Sequence, residues 1–422
     1  MNNKRIPGKS RPRRLLLGLD GVPHELILAA RNRGLFDSFG TPTRLLSPFP
    51  SMTNVALSVM FRATPPPGYE SLYFDKQASA LRGGIKKYLG RRTPDKVPSS
   101  YMDQLDYQEP LAFEFLIYVA PDKVWRTDMQ RFRERFRLAP QTRDYFAFLK
   151  ATDGLLHSCG PDRLAIALES LDEILRDIQT FCGDETEVVL FSDHGMNLEE
   201  NRRVSLATHL RSKGFSLQSD FKTASKRSVS IPAFGLCSYA AVYCADQQLV
   251  PDVAQAISEA RGVDFVIYPS NGGVCLQSSR GKACIQRAVS NEAIFYNYTN
   301  KDGDPLELAP IREQLRTSGK LTDEGFAHES EWFRLTNSHH YPDILANLYA
   351  SLFKNRVQHP GDILVSLEDG FYFGWSPFSR VVRLAATHGN ALRASSNAFM
   401  MSTHRELPAC VRAEDAESLL KR

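Results

Sequence analysis

Three short apolar runs in this sequence each break off into a carboxylate, and that pattern narrows the fold more than any other feature. Leu15-Leu16-Leu17-Gly18-Leu19 ends at Asp20, Phe146-Ala147-Phe148-Leu149 leads to Asp153, and Val188-Val189-Leu190-Phe191 ends at Ser192-Asp193-His194. Near-continuous apolar runs of this length suit strands buried on both faces, as in parallel sheets covered by helices. Between the second and third runs, Leu164, Leu168, Leu171, Leu175 and Ile178 recur at helical spacing; Pro161 and Asp162 open that helix and Gly183 follows its end. Strand and helix alternating in this way indicate an α/β core, a mainly parallel central sheet flanked by helices. Ligands of open α/β sheets gather at the carboxyl ends of the strands, and Asp20, Asp153 and Asp193 all fall at or just after such ends. A single Asp there is more often a helix cap. Three of them, two with a neighbouring His, weaken that explanation.

The chain has 422 residues, 42% hydrophobic and 24% charged, an ordinary globular composition with room for a large core and a second module. From about residue 201 to 330 the texture changes to Ser, Arg and loop residues, with one clear α/β stretch from Tyr239 to Ile267. The turns Gly272-Gly273, Ser279-Arg280-Gly281 and Asp302-Gly303-Asp304-Pro305 follow. This segment reads as an inserted α/β cap, with residues 15–200 and 331–422 forming the core. The core pattern resumes with a helix near Ile344–Phe353 and a further strand at Asp362-Ile363-Leu364-Val365.

Formal net charge is +4, and part of the excess sits in residues 1–14, where Lys4, Arg5, Lys9, Arg11, Arg13 and Arg14 occur without an acidic residue. A solvated, disordered tail is the expectation. No aromatic or recognition motif accompanies these charges, so no nucleic-acid partner is expected. Arg13-Arg14 before an apolar run resembles a twin-arginine leader, but the run is too short for a signal and meets Asp20-Gly21 with no small-residue cleavage site. No segment has the length of a membrane span. The 7 cysteines lack CxxC spacing and are scattered through apolar stretches, as with Cys237, Cys244 and Cys275, which fits free thiols in a cytoplasmic protein.

The polar residues at the strand ends form ligand-like sets. Asp153 and His157 are spaced D-x-x-x-H, which puts both side chains on one side of a helical turn. Asp193-His194 leave a strand end together, and His388 is followed by Gly389, which permits close backbone approach. Carboxylate and imidazole together favour zinc, with manganese or iron as alternatives. Each pair alone is a weak signal. In Pro48-Phe49-Pro50-Ser51-Met52-Thr53 the prolines hold the chain extended before a helix from Asn54 to Phe61, and Thr53 takes the expected N-cap. Plain capping is the commoner job for such a Thr. The functional alternative is a hydroxyl nucleophile beside a helix N-terminus that binds a phosphoryl oxygen. Ser51 is a rival nucleophile.

The ordered set Asp20, Pro50-Ser51-Met52-Thr53, Asp153-x-x-x-His157, Asp193-His194-Gly195 and His388-Gly389 resembles the alkaline phosphatase superfamily, and within it the type I phosphodiesterase/nucleotide pyrophosphatase branch. The resemblance spans Leu15 to Gly389. It implies an alkaline-phosphatase-like fold and two divalent metal ions, zinc above all. One would be held by Asp20, Thr53, Asp193 and His194, the other by Asp153, His157 and His388. It further implies attack by Thr53, a phospho-threonine intermediate, and hydrolysis by water, with the metals roughly 4 Å apart as in two-metal sites. A small phosphate ester is the implied substrate, a diester in preference to a monoester. A phosphonate hydrolase and a metal-retaining protein without turnover are the alternatives.

The sequence departs from the branch after the nucleophile helix. Where relatives carry Thr-Gly, a proline and His-Gly, this chain reads Arg62-Ala63-Thr64-Pro65-Pro66-Pro67-Gly68-Tyr69-Glu70. In place of the branch's phosphoryl-binding Asn stands Asp75, with Asn54 as the substrate-binding candidate. His24, His339-His340, Arg280, Arg380 and Arg383 are read as helix-face, loop and surface residues.

Overall fold

In the computed structural model, residues 14–84, 97–110, 116–117, 120–140, 142–183, 185–374 and 384–420 are described. The basic tail through Arg13, and Arg380 and Arg383, lie outside them. Arg14 does not belong to a solvated tail. Its buried guanidinium donates from Nε to Asp144 Oδ2 at 3.0 Å and anchors the start of the first strand.

The first sheet has seven strands. From one edge to the other they run Cys410–Arg412, Thr43–Leu46, Asn397–Ser402, Val188–Ser192, Leu15–Leu19, Tyr145–Leu149 and Tyr107–Gln108. The last four of these are mutually parallel, as are the first two, whereas Asn397–Ser402 is antiparallel to both its neighbours. The apolar runs are continuous because both faces are covered. Leu15, Leu17, Ala147, Leu149, Val188 and Leu190 pack with the helices Pro121–Leu138 and Pro161–Cys182. Leu16, Phe146, Phe148, Val189 and Phe191 pack on the other side, with the helix Thr53–Met60 and the C-terminal turn. Gly18 lies between the two rows of aromatics, where a Cβ would come within 2.4 Å of the Phe148 ring.

The second sheet has nine strands and is almost wholly antiparallel. It gathers the strands of residues 216–328 other than Leu236–Cys237, and takes Ile363–Leu367 between Val263–Ser270 and Tyr239–Cys244. The strand expected to rejoin the core sheet near residue 362 therefore pairs here instead. It is a central strand buried on both faces, and its alternate residues serve the two apolar clusters of this sheet. The helix Ile344–Phe353 covers one face and Val250–Ser258 the other. Among the described residues no helix is long and apolar enough to cross a membrane.

Candidate metal centre and nucleophile

Register explains why the carboxylates meet. Leu19 stands opposite both Leu149 and Ser192 in the parallel pairing, so three strands stop at one level. Asp20 and Asp193 are the next residues on two of them. The third strand runs into the helix Ala151–Cys159, whose first turn carries Asp153 and whose last turn carries His157. The loop bearing His388 closes over this edge. Asn197 ties it there, exchanging backbone hydrogen bonds with Thr387 and accepting the Thr387 N–H on its side chain as well.

All seven positions singled out from the sequence converge. His194 Nε2 is 3.4 Å from Asp20 Oδ1 and 3.4 Å from Asp193 Oδ2, and Gly21 N–H donates to Asp193 Oδ1 at 3.1 Å. Asp153 Oδ1 lies 3.2 Å from His157 Nε2 and 3.5 Å from His388 Nε2. The rings of His194 and His388 stack at 3.9 Å. Two overlapping groups have donor atoms within 4.8 Å of one another: Asp20, Asp193 and His194, and Asp153, His194 and His388. The second group takes His194 where the resemblance puts His157, because Asp153 stands between imidazoles on several sides.

Each imidazole is oriented by a backbone carbonyl on its Nδ1. His157 meets Ala386 O at 2.8 Å, His194 meets Gly195 O at 2.9 Å, and His388 meets Ser51 O at 2.8 Å. The Nδ1 therefore carries a hydrogen, and the three Nε2 atoms turn inward toward carboxylate oxygens, an arrangement typical of metal-ligating histidines. Asp153 Oδ1 and Asp193 Oδ2 are buried without a hydrogen bond. Inward lone pairs facing orphaned carboxylate oxygens are unfavourable unless a cation lies among them, so the donor set fits a divalent metal.

Charge regulation points the same way. Burial, with Asp193 and Asp153 adding repulsion, pushes Asp20 up to about 7 against the pull of His194. Burial likewise raises Asp193. His194 is opposed by its own burial, yet the surrounding carboxylates lift it to about 10. Burial works to raise Asp153 too, but its imidazole neighbours prevail and hold it well below the usual carboxylate range. Burial and the charge on His194 drive His388 well below a normal imidazole. Without metal, His194 thus holds the proton that stands in for a cation.

Thr53 is the first residue of its helix, with Met52 at the N-cap, one residue earlier than the sequence pattern suggests. Its hydroxyl caps nothing. It donates to Asp20 Oδ1 at 3.1 Å and lies 3.3 Å from His194 Nε2. Ser51, the rival, is fully buried and bonds away from the cluster, donating to Asn390 O at 3.3 Å. Asn54 accepts from Tyr101 Oη at 2.7 Å, which fixes its carboxamide with the Nδ2 hydrogens as the donors on offer. Asp75 is occupied elsewhere, capping a hairpin turn through the N–H groups of Gln77 and Ala78. A cavity of about 350 Å³ opens beside Asn54, walled by Pro66, Glu70, Tyr73 and Tyr101.

The remaining histidines stay out of the cluster: His24 bonds to Pro42 O and His339 accepts from Tyr341 N–H. Arg280 lies at the surface only in part. It is two-thirds buried and paired with the buried Asp264, also bonding Pro305 O and the Tyr341 hydroxyl. Sequence reasoning missed the residues that hold the loop ahead of Thr53. Asn347 accepts from Phe49 N–H at 2.7 Å and donates to Ser47 O at 3.1 Å, while Arg356 donates to Phe49 O at 2.9 Å. Their partners lie about 300 residues away, and no local pattern marks such bonds.

The family model described as type I phosphodiesterase/nucleotide pyrophosphatase matches residues 78–275. No curated protein matches the sequence. Among solved structures, murine ectonucleotide pyrophosphatase/phosphodiesterase 5 aligns with a TM-score of 0.50 at 12% identity, over 97% of this chain and 94% of that one. The human protein of the same name gives 0.50 at 11% identity, over 97% and 93%. Phosphonoacetate hydrolase from Sinorhizobium meliloti 1021, in complex with phosphonoformate, gives 0.50 at 13% identity, over 98% and 97%. At these identities the likeness is one of fold, a mixed α/β architecture with large sheets. Over residues 78–275 the chain is thus similar to the type I phosphodiesterase/nucleotide pyrophosphatase family, in line with the resemblance its motifs carry.

Proposed function

We propose that this protein is a two-zinc phosphodiesterase that acts through a phospho-threonine on Thr53. The broader class, a phosphoric-ester hydrolase, rests on the family match. The observation that carries the finer reading is the Thr53 hydroxyl, which begins a helix yet points at Asp20 and His194 rather than capping.

Asp20, Thr53, Asp193 and His194 would hold one ion and Asp153, His157 and His388 the other. When bound, the two ions supply positive charge to the phosphoryl oxygens and ease ionisation of the attacking hydroxyl and of the hydrolytic water. The chain's own groups do the positioning. The free N–H groups at the start of Thr53–Met60 and the Asn54 carboxamide bind a phosphoryl oxygen. Thr53 Oγ1 attacks phosphorus in line, its hydrogen already directed at Asp20 Oδ1, and the ester oxygen departs with its electron pair. Water then cleaves the phospho-threonine and restores the hydroxyl. The leaving group occupies the cavity beside Asn54, and the second sheet serves as the cap that sets its fit. The seven cysteines are free, which supports a cytoplasmic protein.

The test is zinc-loaded protein assayed on an aryl phosphodiester, the matching monoester and phosphonoacetate, each with a chelator control. Chelator-sensitive turnover of the diester above the others is expected. Faster monoester cleavage would make the protein a phosphatase, and turnover of phosphonoacetate alone would establish the second reading, a phosphonate hydrolase, which has the same fold behind it. No turnover with metal bound would leave a site that binds without reacting.

A further inference from the structure

On the second sheet, Cys275 and Cys284 stand directly opposite each other on the neighbouring antiparallel strands Gly273–Ser278 and Gly281–Ser290. Their Sγ atoms are 3.7 Å apart, and both residues are half-buried, within reach of a small reagent. Opposed residues of an antiparallel pair have Cα separations of about 4.5–5.5 Å, inside the range a disulfide spans. Closing the gap needs side-chain rotation with no change of register. The pair is not spent on packing alone. Cys275 lies at the edge of the apolar cluster under Val250–Ser258, while its sequence neighbours Val274 and Leu276 face the cluster on the other side. Burial and the neighbouring Cys275 raise the Cys284 thiol above its ordinary value, with Lys301 beside it pulling the other way, so exchange quickens as pH rises and the thiolate forms.

We propose that Cys275 and Cys284 form a reversible dithiol–disulfide site, oxidised by a low-molecular-weight disulfide. The Cys284 thiolate attacks one sulfur of the reagent, the reagent's S–S bond breaks, and one thiolate leaves. Cys275, having given its proton to solvent, attacks the Cys284 sulfur of the mixed disulfide and expels the second thiolate. Two protein thiols are oxidised by two electrons, and the reagent is reduced to two thiols. The bond would staple adjacent strands of the second sheet on the face away from the helix Ile344–Phe353. The metal cluster is not touched, and basal hydrolysis stays the same.

The experiment uses the full chain treated with oxidised glutathione, quenched with acid, then unfolded for thiol counting and intact mass. The expected result is loss of two titratable thiols out of seven, a mass lower by two hydrogens, and a cross-linked peptide pair joining positions 275 and 284, all reversed by dithiothreitol. Cys275→Ser and Cys284→Ser should each abolish the two-thiol loss and leave one glutathione adduct on the remaining cysteine, while Cys410→Ser should leave the pair intact. Seven titratable thiols after treatment, or a two-thiol loss that persists in both serine variants, would overturn the proposal.

Discussion

The chemistry proposed at Thr53 turns on one hydroxyl and its two neighbours. Thr53→Ala should lower turnover by on the order of 10³-fold or more, the scale of losing a nucleophile, while bound zinc, measured by elemental analysis, persists on the remaining ligands. Ser51→Ala should retain turnover, because that hydroxyl bonds to Asn390 O outside the cluster. Activity surviving in Thr53→Ala would move the attack to water. His388 offers a second check, since its Nε2 faces Asp153 and its Nδ1 is spent on Ser51 O. His388→Ala should empty mainly one of two metal sites; an unchanged zinc content would break the assignment. The seven clustered positions could be singled out in the sequence because each sits in a short motif, at a strand end for Asp20, Asp193 and His194, on a helix for Thr53, Asp153 and His157, and in a loop for His388. The partners that aim them could not. The Ser51, Gly195 and Ala386 carbonyls are backbone groups, and nothing in their side chains announces the bond.

At the scale of elements, the loop ahead of Thr53 is held from a distance. Asn347, on the helix Ile344–Phe353, and Arg356 just beyond it bind the backbone of Ser47 and Phe49 ahead of Thr53. Asn347→Ala would leave a buried N–H and a buried carbonyl without partners, at a cost of ~2–4 kcal/mol in stability. Misplacing the loop should also reduce kcat by about 10- to 100-fold, with a smaller change in KM. Denaturant melts and steady-state kinetics check both, and an unchanged kcat in a destabilised variant would reduce Asn347 to a packing role. The core sheet was legible in the same way as the site: buried parallel strands write continuous apolar runs, and shared register puts their ends at one level. The second sheet was less so. Ile363–Leu367 reads like any buried strand, and only its pairing with Val263–Ser270 and Tyr239–Cys244, about 100 residues away, places it there.

Across the whole molecule, the cluster sets function against stability. Three carboxylates meet at one end of the sheet, Asp20 and Asp193 buried and Asp153 partly so, and the metal-free protein bears the repulsion. Asp20 shows the sign of the effect. Its folded-state pKa, near 7, lies above the ordinary value of 3.8, so the folded chain binds the proton more tightly than the unfolded one. The stability this confers is complete below about 3.8 and is lost as pH rises through 7. Asp193, also raised by burial, adds a contribution of the same sign, and His194 at about 10 remains protonated across the window. Asp20 and Asp193 therefore act to lower the melting temperature of metal-free protein in chelator between pH 4 and pH 7, against His388, whose depressed imidazole acts in the opposite sense, so the Asp20 share is read from a variant. Asp20→Asn imitates the protonated carboxyl. In chelator at neutral pH it should be more stable than the parent by ~1–3 kcal/mol, with a shallower fall across that range. With saturating zinc the order should invert, because the parent gains binding energy that the variant has lost, about 2.7 kcal/mol at a hundredfold excess over Kd. If the two proteins show the same pH dependence without metal, the charge conflict at Asp20 is not what the metal relieves.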